Sequence, residues 1–107
     1  MKINRSCEEI KARLDSGDEL FLLDVREPSE RAFCAIGGSA HIPMGEIPAR
    51  LAELDRDREI VVYCHHGVRS FQVAAFLVGR GFGRVVNLAG GIDAWSLSID
   101  PSVPRYG

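Results

Sequence analysis

The sequence has no close pair of cysteines: its three, Cys7, Cys34 and Cys64, form no C-x-x-C motif and are odd in number. Neither a disulfide framework nor a zinc knuckle is therefore expected, and a reducing compartment suits the free thiols. Long apolar runs are missing too. None approaches the roughly 18 residues of a membrane span, and the stretch from Met1 to Glu9 has no apolar core of an export signal. A cytoplasmic location with no membrane partner is expected. There is little excess charge: 13 Lys and Arg against 15 Asp and Glu leave a formal −2, which gives no basis for a nucleic-acid partner. Low-complexity segments, internal repeats and breaks in composition are absent as well. The 107 residues are accordingly expected to form one domain, 1–107, with a monomer as the default state. A domain of this size buries roughly 65% of its unfolded surface and needs no metal or disulfide to do so.

What the sequence does have is a cluster of reactive side chains where the periodicity changes. Ile60 to Tyr63 is a short apolar run that reads as a buried strand, and Phe71, Ala74, Ala75 and Val78 then recur at helical spacing. Cys64 falls at this strand-to-helix turn. The residues that follow, His65, His66, Gly67, Val68, Arg69 and Ser70, lie at or just before the helix N-terminus, where unpaired N–H groups and the helix dipole favour an anion. A cysteine thiolate is stabilised in such a place.

The rest of the chain alternates helix and strand. Ser6 and Glu9 form a capping box ahead of Ile10 and Leu14, predicting a first helix that ends near Gly17. Leu20 to Val25 is continuously apolar up to Asp24, which suits a strand buried on both faces of a parallel sheet. Pro28 to Arg31 predicts a short helical turn, and Ala40 to Ile42 a brief strand after the Gly37–Gly38 turn. Ile47, Leu51 and Leu54 share one face of a predicted helix over 46–54, followed by a solvated charge run over 55–59. Arg84 to Leu88 predicts a last strand, and Gly90 and Gly91 turn the chain towards Trp95, a core anchor. Residues 98–107, with two prolines, are expected as an extended tail on the surface. The architecture predicted is a three-layer α/β/α domain. Ligand sites in such folds lie beyond the carboxyl ends of the strands, which is where Asp24, Arg26, Cys64, Gly90 and Gly91 fall.

Four stretches together resemble the rhodanese-like sulfurtransferase family in its single-domain form. They are Leu22 to Glu30, Ile36 to Pro43, Cys64 to Ser70 and Asn87 to Trp95, in that order and over nearly the whole chain. One departure is visible: where the family often has Gly-His before the isoleucine of the second stretch, this chain has Cys34 and Ala35, so no role for that histidine carries over. The resemblance implies a five-stranded, mostly parallel sheet in which the strand ending at Asp24 lies beside the one ending at Cys64. It also implies persulfide chemistry. Cys64 would be the nucleophile, taking sulfane sulfur from a donor such as thiosulfate and passing it to a thiol, cyanide or sulfur-carrier acceptor, with no cofactor beyond the covalent persulfide.

In that scheme converging N–H groups of residues 65–69 would solvate the thiolate and then the persulfide, much as an oxyanion hole does. Arg69 would add positive charge or hold the loop by pairing with an acidic neighbour, Asp24 or Glu27. Asp24 and Arg26 are expected to support the site as an ion pair rather than to act on substrate. His65 and His66, being adjacent, are expected to point in different directions and to form no metal site; their protonation would strengthen attraction for a thiosulfate dianion. Cys7 and Cys34 are expected to be inert small side chains rather than resolving thiols. Two other functions fit parts of the pattern. A non-catalytic partner-binding module would not need Cys64, Gly67 and Arg69 all kept. A cysteine-dependent phosphatase would need a longer loop than the four residues that separate Cys64 from Arg69.

Overall fold

The computed structural model describes residues 2–107; Met1 lies outside the described residues. Strand β1 (Asn4–Arg5) leads into helix α1 (Cys7–Asp15), and strand β2 (Leu20–Asp24) into helix α2 (Pro28–Phe33). Strand β3 (Ala40–His41) follows, then two 3₁₀ segments, Met44–Glu46 and Pro48–Glu53. Strand β4 (Glu59–Tyr63), helix α3 (Val68–Gly79), strand β5 (Val85–Leu88) and helix α4 (Gly91–Ser98) complete the order. The sheet has the strand order β1-β5-β4-β2-β3, and all four neighbouring pairs are parallel, so the sheet is wholly rather than mostly parallel. The strand ending at Asp24 does lie beside the one ending before Cys64, with Asp24 opposite Tyr63.

The central strand shows why the run from 60 to 63 carries no charged residue. Ile60, Val61, Val62 and Tyr63 are all 0% exposed. Successive side chains point to opposite faces. Ile60 and Val62 join Val73, Ala74 and Leu77 of α3 in one core, while Val61 and Tyr63 join Cys7 and Ile10 of α1 and Ile92 and Trp95 of α4 in the other. A strand covered on both faces has to be apolar at every position. Helix α1 starts at Ser6, whose Oγ accepts from Glu9 N (3.1 Å), but the capping box is only half formed because the Glu9 carboxylate pairs with Arg5 (3.2 Å); the chain leaves the helix through Gly17 at φ +91°. Among the described residues no helix is long and apolar enough to cross a membrane.

The structure corrects the sequence expectation at several places. The helix predicted over 46–54 is instead the pair of 3₁₀ segments, kinked at Arg50 (φ −115°, ψ 18°). Pro48 opens the second segment, where its missing N–H costs nothing, and the helical ladder breaks at Arg50 instead. The apolar face survives this change, with Ile47 and Leu54 still buried. β1 has no counterpart in the sequence reading, because two polar residues carry no periodic signal. Neither has α4, because a glycine pair reads as a turn. Residues 98–107 run over the surface but are fastened to it. Val103 is buried among α4 residues, Ser96 Oγ donates to its carbonyl (2.6 Å), and Tyr106 is drawn into the site described next.

Candidate active site

Cys64 leaves β4 at the carboxyl edge of the sheet and is only 1% exposed. Three groups donate to its sulfur: Gly67 N at 3.2 Å, Ser70 N at 3.3 Å and Ser70 Oγ at 3.2 Å. Residues 65–67 fold back over the sulfur because Gly67 takes φ +99° as the N-cap of α3. This left-handed conformation costs a side chain about 1 kcal/mol or more. A Cβ there would also stand 3.1 Å from Gly90 N, so the position is closed to larger residues twice over. The converging amides expected over 65–69 thus include only one residue of that range; Ser70 supplies the other two donors.

The loop's carbonyls are held outward by other elements. Ile92 N and Asp93 N, at the start of α4, donate to Cys64 O (2.9 Å) and His65 O (3.1 Å), and Asn87 Nδ2 donates to Gly67 O (3.0 Å). In a trans peptide the C=O and N–H point in opposite directions. Fixing these carbonyls therefore turns the N–H groups of His65, His66 and Val68 away from α4 and Asn87. Gly91 makes the approach possible: a Cβ on it would lie 2.4 Å from His65 O and 2.5 Å from Cys64 O. The glycine pair is therefore what lets α4 seat its first amides against the loop.

Beneath the loop lies a buried ion pair. Arg26, 0% exposed, meets Asp24 through Nε–Oδ1 (2.9 Å) and Nη2–Oδ2 (2.7 Å), and also donates to Cys34 O (2.6 Å) and to Tyr106 Oη (3.1 Å). Burial opposes ionisation of Asp24, but the Arg26 hydrogen bonds outweigh it and hold the carboxyl below its usual range. Tyr63 Oη donates to Asp24 Oδ2 (3.2 Å), tying the pair to the residue before Cys64. Burial pushes the Tyr63 phenol up. Asp24 and Arg26 form an ion pair, and through Tyr63 it ties β2 to β4 where the loop begins. His41, for which the sequence suggested no task, donates from Nε2 to Arg26 O (2.8 Å).

Arg69 is paired, but with neither of the partners expected. Glu30 of α2 takes both its Nη1 (2.7 Å) and its Nη2 (2.8 Å), while Asp24 is occupied by Arg26 and Glu27 caps α2. The Arg69 guanidinium holds the Glu30 carboxyl down to about 2, against burial and with help from Tyr106. Tyr106 Oη donates to Glu30 Oε2 (2.7 Å), and burial pushes its own ionisation up to about 12. Glu30 and Tyr106 are the site residues that sequence reasoning did not single out. Glu30 lay inside a recognised stretch with no chemical reason to choose it, and Tyr106 sits in a segment without periodicity.

The histidines also depart from expectation. His65 and His66 do not diverge: their rings stack at 3.8 Å, and His65 stacks on Tyr106 at 3.9 Å. The reason is that His65 Nε2 donates to Tyr106 O (2.9 Å), which fixes the ring in place for His66 to cover. With Asp93 they bring three possible ligand atoms within 4.8 Å of one another. Asp93 is also held by Arg105 (2.9 and 3.3 Å) and His65 by Tyr106 O, whereas His66 Nε2 faces Asp93 (3.8 Å). Of the other thiols, Cys7 lies against the carbonyls of Ala89 (3.8 Å) and Gly91 (3.9 Å), and burial pushes it up to about 11. Cys34 Sγ lies 3.7 Å from Arg26 Nη1. A cleft of about 390 Å³ flanks the loop at Gly67, Val68 and Phe71 without reaching Cys64.

Comparison with known proteins agrees with this geometry. The family model of the rhodanese-like domain matches residues 6–98. A protein of Allochromatium vinosum named sulfurtransferase is 43% identical over 100 residues, covering 94% of each chain. The putative sulfurtransferase YtwF of Bacillus subtilis is 40% identical over 96 residues, covering 90% of this chain and 92% of its own. The crystal structure of a rhodanese-like domain protein from Staphylococcus aureus superposes with a TM-score of 0.83 at 29% identity, over 97% of this chain and 98% of that one. A sheet of five parallel strands, a cysteine in a glycine-turned loop at its carboxyl edge and matches over nearly the full length lead to one assignment: the chain belongs to the rhodanese-like sulfurtransferase family.

Proposed function

We propose that the protein transfers sulfane sulfur through a persulfide on Cys64. The observation that carries this reading is the set of three hydrogen-bond donors on Cys64 Sγ, from Gly67 N, Ser70 N and Ser70 Oγ. Hydrogen bonds to a charged acceptor are worth about twice those to a neutral one. The donors therefore favour the thiolate that attacks, and amides already fixed in place need no reorganisation when charge develops. With thiosulfate as donor, the Cys64 thiolate attacks the sulfane sulfur, the S–S bond of thiosulfate breaks, and its electron pair leaves on sulfite. Cys64–SH and S₂O₃²⁻ thus become Cys64–SSH and SO₃²⁻. A thiol, free or on a carrier, or cyanide then attacks the outer sulfur, the S–S bond to Cys64 breaks, and its electron pair restores the Cys64 thiolate. No cofactor enters either half.

Burial of Cys64 at 1% exposure supports the same reading, since a covered persulfide is shielded from adventitious reaction. The phosphatase reading gains no support, because a guanidinium bound through two nitrogens to Glu30 is not presented to a phosphate. The test is intact mass after incubation with thiosulfate. The wild type is expected to gain the mass of one sulfur atom and Cys64→Ser none. No gain in the folded wild type with thiosulfate or with a thiol persulfide sinks the proposal and leaves the partner-binding module.

A further inference from the structure

Three arginines around the loop each have a carboxylate, and a fourth, Arg31, shares Asp24 with Arg26 and spends its other donors on Ser39. Arg69, one residue before the Ser70 that grips Cys64, is clamped by Glu30 at 2.7 and 2.8 Å, and Glu30 is held in place by Tyr106 Oη at 2.7 Å. Arg26 is fully engaged by Asp24, and Arg105 by Asp93. Arg31 meets Asp24 at 3.4 Å and Ser39 at 2.8 Å. A site that must accept a dianion beside a thiolate needs a cation left over, since two like charges brought together in a partly dry site repel strongly. Cys64 is also only 1% exposed, so a donor has to present its sulfane atom at the end of a slim S–S stem.

We infer that Glu30 determines the class of sulfur donor: by neutralising Arg69 it selects small thiol persulfides, R–S–SH, over the thiosulfate dianion. The inference rests on the persulfide reading of Cys64 and deepens it. Glu30 is a positioning residue that acts through Arg69 and touches no substrate. The favoured step is Cys64–SH + R–S–SH → Cys64–SSH + R–SH. The Cys64 thiolate attacks the terminal sulfur, the S–S bond of the donor breaks with its electron pair on R–S⁻, and that departing thiolate takes the proton given up by Cys64. No external oxidant or reductant is required, and at most one negative charge enters with the donor.

The test compares thiosulfate with hydroxyethyl persulfide as donors, following sulfur loading by mass and steady-state turnover with cyanide as the common acceptor. For the wild type, kcat/KM is expected to be at least about tenfold higher for the persulfide. In Glu30→Gln the freed Arg69 is expected to lower the thiosulfate KM by about tenfold, so that the preference collapses. A role in folding alone would change both donors together and leave their ratio unmoved, which overturns the inference. The wild-type comparison does not depend on the variant folding: loading by both donors with thiosulfate preferred also overturns it. Failure of both donors to load Cys64 overturns the sulfur-transfer reading and this inference with it.

Discussion

Replacing Gly91 with alanine tests how the loop is held. The added Cβ would stand 2.4 Å from His65 O and 2.5 Å from Cys64 O, closer than carbon and oxygen tolerate, and both are backbone atoms with no rotamer to change. At φ +62° the alanine also pays the left-handed cost of roughly 1–2 kcal/mol. To make room, the loop must move off α4, which weakens the bonds from Ile92 N and Asp93 N, each worth about 1 kcal/mol. Together these give a loss of about 3–4 kcal/mol, a large part of the 5–15 kcal/mol typical of a domain. Gly37→Ala is the control, because no atom lies within 4 Å of its Cβ and its φ is not positive; it should stay within about 0.5 kcal/mol of wild type. Urea unfolding reads both as shifts in midpoint at constant slope. Sulfur loading of Gly91→Ala under folding conditions should slow by about a hundredfold, since a displacement near 1 Å costs that much in a positioned reaction. A Gly91→Ala protein destabilised by less than about 1 kcal/mol would refute the argument that α4 pins the loop.

Other variants probe the remaining parts of the site. Asp24→Asn leaves the 0% exposed Arg26 without its counter-ion and should cost about 3–5 kcal/mol in denaturant unfolding. Ser70→Ala keeps the amide on Cys64 but removes the hydroxyl at 3.2 Å, and should slow alkylation of Cys64 at neutral pH by about tenfold. The Glu30 carboxyl, lowered from 4.5 to about 2 mainly by Arg69, favours the folded state at all pH values above 4.5 and loses that contribution as pH falls through 2. Comparing thermal unfolding of wild type and Glu30→Gln between pH 5 and 2 should show a steeper acid loss in the wild type, by about 2–3 kcal/mol over the window. Parallel curves would show that the Arg69–Glu30 pair adds no acid-sensitive stability.

Signals carried by neighbouring residues are legible in the order of the amino acids alone. The apolar runs at 20–25 and 60–63 mark strands covered on both faces, Ser6 and Glu9 mark the first helix, and the switch of period at Cys64 places that thiol at a helix N-terminus. Each depends on a few consecutive side chains, so folding elsewhere does not undo them. The predicted helix at 46–54 fails although its apolar spacing is sound, because the backbone leaves helical angles at Arg50.

Partnerships across the chain are of another kind. Cys64 marks a strand-to-helix turn, but that Ser70 rather than Arg69 grips its sulfur depends on how α3 meets β4. Arg69 has three acidic candidates between 24 and 30, and the choice falls to Glu30 because Arg26 already fills Asp24 and Glu27 caps α2. Tyr106, in a segment expected to be an outlying tail, arrives from 76 residues away at the Glu30 it binds. Periodicity and motif spacing record what a residue does to its own segment, and so they determine strands, helices and a thiol set ahead of a helix N-terminus. Which charges meet, and therefore how much positive charge is left beside that thiol, is decided only when distant segments compete for the same partners.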